Sequence, residues 1–134
     1  MSAQSLEDRL ASVKGLTCEF TAMATGSWKN GEPSAEVGPA TLKMVFDQIM
    51  LDDGTARVVG VFGDFDIIVR LSTGNLHLVQ SFKDGPLYVT TLFPHESRAG
   101  KVQAVHTRHE YTLIAMPGYT SRPEQYYGEC ELRQ

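Results

Sequence analysis

The stretch Leu16-Thr17-Cys18-Glu19-Phe20-Thr21-Ala22-Met23-Ala24, set beside Gln125-Tyr126-Tyr127-Gly128-Glu129-Cys130-Glu131-Leu132, decides the fold. Both alternate with the period of two expected of a strand with one buried face. Cys18, Phe20, Ala22 and Ala24 share a face in the first; Tyr126, Gly128, Cys130 and Leu132 share one in the second. Each cysteine lies on the apolar side, near one end of the chain. A first and a last strand that meet close a sheet into a barrel and remove its edges. The matched parity predicts Cys18 and Cys130 on adjacent strands, both facing in. Directly opposed residues of an antiparallel pair bring their α-carbons to roughly 4.5–5.5 Å, within disulfide reach. Free thiols are the alternative, and a reducing compartment favours them.

Outward from these strands the chain reads as further strands and short turns. Thr41 to Leu51 puts Leu42, Met44 and Phe46 on one side. Phe65, Ile67, Val69 and Leu71 share a face, as do Leu76, Leu78 and Phe82, and then Leu87, Val89, Thr91 and Phe93. Asp52-Asp53-Gly54, Thr73-Gly74-Asn75 and Asp84-Gly85-Pro86 are turn signals. Lys29 to Pro39, with Asn30-Gly31, Pro33 and Gly38-Pro39, reads as the longest loop. Ser5 to Gly15 is the one helix: Ser5 caps it, Asp8 stands in the capping-box position, Leu6, Leu10 and Val13 form a stripe, and Gly15 stops it. That stripe covers either an open barrel end or the outside of the sheet. No segment of crossover length separates the strands, which disfavours a parallel sheet. The expectation is an all-β protein, an antiparallel up-and-down barrel of about eight strands with one short N-terminal helix. A two-layer sandwich is the competing architecture, and the cysteine parity favours closure. One domain is expected, with the helix in residues 1–15 and the barrel in residues 16–134.

Composition narrows the function. The net charge is −4 with Lys and Arg scattered, so there is no basic stripe for nucleic acid. No apolar run approaches the roughly 18 residues of a membrane-spanning helix. Met1 to Leu10 lacks the apolar core of a secretory signal, and a cytoplasmic location is expected, with a mature exported form as the alternative. Two cysteines are too few for a disulfide scaffold and are not spaced as a zinc site.

One anomaly lies in Lys101 to Met116. Val102, Ala104 and His106 fall on one parity, and Val105, Tyr111, Leu113 and Ala115 on the other. A β-bulge between Val105 and Tyr111 would switch the core face, as a barrel corner or to re-aim side chains at a site. If Val102 and Ala104 face inward, so do His106 and Arg108, a possible base and a planar fork for a carboxylate. If the stretch lies past a bulge, these groups stand in water. His106 and His109 point to opposite faces of a regular strand and lack a third ligand, so no metal is expected, and a haem has no more support. His77 and His95 read as surface residues. Tyr119 to Tyr127 gathers tyrosines with Arg122, Pro123 and Glu124, suited either to a site's rim or to a packed hairpin with Arg122 and Glu124 paired outside.

The strand pattern resembles the lipocalin-like (calycin) barrels, and Gly26-Ser27-Trp28 is similar to their G-x-W signature. In this chain the motif ends a strand, where in that family it begins one. The resemblance implies that Trp28 packs at the closed end, that Arg133 covers it, and that the interior holds a small apolar or amphipathic molecule.

Binding of such a molecule is the expected function, with Trp28, Phe46, Gln80, His106, Arg108, Arg122 and Tyr126 as candidate ligand contacts. Mostly apolar walls with a few polar anchors, Gln48, Gln80, Thr91 and His106 among them, fit that use. Arg108 or Arg122 would take a carboxylate. Two alternatives remain: a barrel isomerase or cyclase using His106 or Glu110 as base, and a homodimeric interaction domain with Ile68 and Leu92 exposed outside. No cofactor is implied.

Overall fold

The computed structural model describes residues 5–60, 63–81, 85–111 and 122–134. Expectations that fell on Phe62, Phe82, Leu113, Ala115, Met116 and Tyr119 lie outside the described residues. Helix α1 (Leu6–Ala11) precedes β1 (Gly15–Lys29), β2 (Glu32–Met50), β3 (Thr55–Gly60), β4 (Gly63–Ser72), β5 (Asn75–Ser81), β6 (Leu87–Glu96), β7 (Val102–His109) and β8 (Glu124–Arg133). The strands follow chain order around a closed barrel, each antiparallel to the next, and β8 returns to pair with β1. The protein is therefore all-β, with the expected ring of eight strands and one short helix.

Cys18 lies directly opposite Cys130, as the parity predicts, and both are fully buried. They form a disulfide across the seam. The reduced form expected of a cytoplasmic protein is not what the structure holds.

Helix α1 is shorter than its sequence signals. Ser5 Oγ accepts from the Asp8 amide at 3.1 Å, and the helix ends at Ala11 with Ser12 as its cap. Gly15 is already strand, so it does not act as the helix stop. Leu10 and Val13 are buried in the core cluster. Lys14 donates its amide to the Arg133 carbonyl (2.8 Å), and its own carbonyl accepts from Ile49 (3.1 Å). These contacts join the start of β1 to the ends of β8 and β2, so α1 closes that end of the barrel.

Register irregularities interrupt β1, β2 and β6, and those in β1 and β2 change the strand faces. The pairing of β1 with both neighbours shifts between Phe20 and Ala22. Beyond it Met23 and Thr25 turn inward and Ala22 is exposed, so Ala22 and Ala24 do not continue the face of Cys18 and Phe20. The β1 backbone comes so close to β8 here that a Cβ on Gly128 would overlap the Glu19 carbonyl and the Phe20 α-carbon. The second irregularity lies between Asp47 and Met50, with Gln48 at φ 49°. It buries Ile49 beside Phe46 and leaves Gln48 exposed, not an interior anchor.

Residues Lys29 to Pro39 are not a loop. Asn30 (φ 53°) and Gly31 (φ 81°) make a two-residue turn with the left-handed geometry of a type I′ hairpin. Pairing then runs without interruption from Lys29↔Glu32 to Ala22↔Pro39. Pro33 and Pro39 fit because, among the described residues, β2 pairs with β3 only from Val45 onward, which leaves its first half unpaired on that side. The hairpin thus projects beyond the barrel wall as an arm.

Strand β6 has the opposite parity to that expected. Tyr88, Thr90 and Leu92 are buried, whereas Leu87 is exposed and Thr91 bonds outward to His77 Nδ1 at 2.8 Å. Both parities of this strand carry good strand formers, so alternation alone does not choose between them. Leu92 is fully buried and forms no part of an outer patch; Ile68 is exposed. Nor does a bulge interrupt β7 from Val102 to Arg108, whose register with β8 is continuous.

Candidate functional site

Because β7 stays regular, its inward parity carries Val102, Ala104, His106 and Arg108 in succession, and Glu110 is buried just past its end. His106 is 1% exposed. Its register partner on β6 is Thr90 and on β8 is Tyr126, so the ring packs among inward side chains of three strands. Ring centroids of Tyr88, Phe20 and Tyr126 lie 5.7, 5.8 and 6.0 Å from it.

Both imidazole nitrogens are engaged. Arg108 Nε donates to His106 Nε2 at 3.0 Å, and His106 Nδ1 lies 2.7 Å from Thr90 Oγ1. Arg Nε–H is only a donor, so Nε2 must accept and Nδ1 carries the proton toward Thr90. The ring is neutral: burial, and then the Arg108 charge, lower its pKa to about 3. The half-buried Arg108 guanidinium stacks 4.7 Å from the Tyr88 ring centroid and 5.7 Å from that of Tyr126. Tyr88 donates to Glu110 Oε1 (2.9 Å), and Tyr126 donates to Glu124 Oε1 (2.8 Å). Burial and then the Glu124 hydrogen bond push the Tyr126 phenol up to about 12. Among the described residues, Arg108 makes no salt bridge with a carboxylate.

Arg108 stands at the wall of a cleft of about 270 Å³ lined by Leu42, Met44, Val58, Phe65, Gln80 and Tyr88, among others. The cleft lies toward the end opposite α1, above the aromatic layer around His106. Below that layer come Ala104, Val102 and the disulfide, all buried. The interior is thus apolar, buried core at the helix end, and at the other end it opens on a cleft whose mostly apolar wall carries Gln80 and Arg108.

Of the sequence-predicted residues, Gln80 and Arg108 line this cleft, and His106 and Tyr126 support Arg108 from beneath. Phe46 does not join them: it pairs with Leu16 near the helix end and is core. Arg122 precedes β8 and is not among the residues lining the cleft; Glu124, its expected partner, accepts from Tyr126. Trp28 sits on the projecting arm, 58% exposed, edge-on to Tyr111 at 5.9 Å. Arg133 lies at the other end, paired with Asp47, so it does not cover Trp28. The backbone amide of Gln48 and then Arg133 hold the Asp47 carboxyl below its usual pKa. Sequence reading missed Thr90 and Tyr88. Their signal, direct opposition to His106 and Arg108, exists only once the β6–β7 register is known.

Among the described residues no cluster of three His, Cys, Asp or Glu side chains is placed to hold a metal ion, and no helix is long and apolar enough to cross a membrane. The chain matches no protein-family model, no curated protein and no solved structure.

Proposed function

We propose that the barrel binds a small amphipathic molecule in the cleft above His106. Its apolar part rests on Leu42, Met44, Val58 and Phe65, and its anionic head meets Arg108. The observation that carries this reading is Arg108 itself. A guanidinium is half buried against two aromatic rings, with Nε committed to a neutral histidine and no carboxylate bound to it among the described residues. Burying a cation is costly unless it is paired, so a site that keeps one unpaired is prepared for an incoming anion. Mostly apolar walls around a few polar groups suit a small-molecule pocket.

The same geometry favours binding over acid–base chemistry at His106. Both ring nitrogens are occupied and the ring is under the cleft floor, not in the cleft. Kinship with lipocalin-like barrels is part of this proposal, and it is supported by the eight-strand meander, not by Gly26-Ser27-Trp28.

Native mass spectrometry of protein purified without denaturation tests the reading. The expected result is an added small mass on the wild type that is lost in Arg108→Gln. A bare wild-type chain that also binds no amphipathic anion on titration would refute it.

A further inference from the structure

The cleft is small and its floor is closed, and both facts bear on which molecules enter. Its volume of about 270 Å³ falls just under the roughly 300–1,000 Å³ of ordinary ligand pockets. To gain burial from its length, an elongated tail would have to continue down the barrel axis. That way is blocked one inward residue below Arg108, where His106 is 1% exposed with Phe20, Tyr88 and Tyr126 around it. The layer is tied together by the Thr90–His106–Arg108 hydrogen bonds, so opening it would break polar contacts made by buried groups.

The head group is constrained as well. Tyr88 and Tyr126 rings lie near the guanidinium, and Nε is spent on His106. What is left to a ligand is the outer edge with the terminal nitrogens, which suits a planar carboxylate meeting the fork edge to edge. The other cation on the lining, Lys43, pairs with Glu19 at 3.7 Å. Among the described residues Arg108 is the lining cation without an ion-pair partner, and it suits a single carboxylate. Gln80 adds an uncharged amide beside it.

We propose that the cleft selects compact monocarboxylates, short aliphatic or single-ring acids, and excludes long-chain acids. This rests on the reading of the cleft as a binding site. In an apolar pocket with room below, every added methylene strengthens binding, so selection against length is a distinct signature of the closed floor.

Isothermal titration of the intact protein with hexanoate, dodecanoate and hexanamide tests it. Hexanoate should bind at one saturable site, and dodecanoate about tenfold more weakly or worse. Hexanamide should also lose about tenfold or more, the effect of one charge-assisted interaction. Dodecanoate binding more tightly than hexanoate would overturn the size selection and leave the binding site standing. Hexanamide equal to hexanoate would overturn the carboxylate head. No binding by any of the three would overturn this proposal, and the reading of the cleft falls with it only if the native protein also carries no added mass. The amide comparison uses wild-type protein, so it holds even where Arg108→Gln fails to fold.

Discussion

His106 shows how one buried residue couples the fold to pH. Its pKa is about 3 in the folded protein, against roughly 6.5 in an unfolded chain. Between those values the unfolded state binds the extra proton, so stability rises with pH across that window and is lost as pH falls through it. Each unit of that fall removes up to about 1.4 kcal/mol. Urea unfolding at pH 7, 6, 5 and 4 should show this slope for the wild type and a shallower one for His106→Gln. Equal slopes would mean that His106 is not held neutral. Arg108 was legible in the sequence as one of two candidate anchors, but its setting was not. Which hydroxyl or ring a buried polar side chain meets depends on cross-strand register, which spacing along one strand does not contain.

At the scale of elements, the strands and turns were legible because alternation and Asn-Gly or Asp-Gly pairs are local signals. The bulges were not, since a bulge records how two backbones approach one another. Gly128 marks the tightest such approach. A methyl group there would meet the Glu19 and Phe20 backbone, which cannot rotate away. Gly128→Ala should therefore cost about 2 kcal/mol or more in chemical denaturation, at the upper end for overpacking. A change below about 0.5 kcal/mol, the range of ordinary surface substitutions, would mean that the bulge is absent. The arm was misread for a related reason: its prolines break a central strand but not the first half of β2, which among the described residues pairs on one side only. Helix α1 acts as a plug through Leu10, with Val13 buried just beyond its end. Truncating a fully buried leucine costs about 2–5 kcal/mol, so Leu10→Ala should lower the unfolding midpoint clearly. Leu10→Ala equal to wild type would place α1 outside the core.

For the whole molecule, closure is what the paired cysteines announced and what the β1–β8 pairing provides. Their disulfide links residues 112 positions apart. Cross-links over loops of that size contribute roughly 2–5 kcal/mol, so a Cys18→Ala/Cys130→Ala protein should unfold at markedly lower urea concentration. A midpoint unchanged from the wild type would show that the seam is held by strand pairing alone. The barrel is also polarised: beneath α1 its inward side chains are buried core, and at the other end it opens on the cleft where Arg108 stands. That polarity is the basis for placing function at one end. Backbone amide chemical-shift mapping with hexanoate tests it most directly. Shifts should concentrate at Gln80, Tyr88, Arg108 and Met44, with Phe46, Arg133 and Trp28 unmoved. Shifts centred on the Trp28 arm or on the α1 end would contradict the assignment of the site.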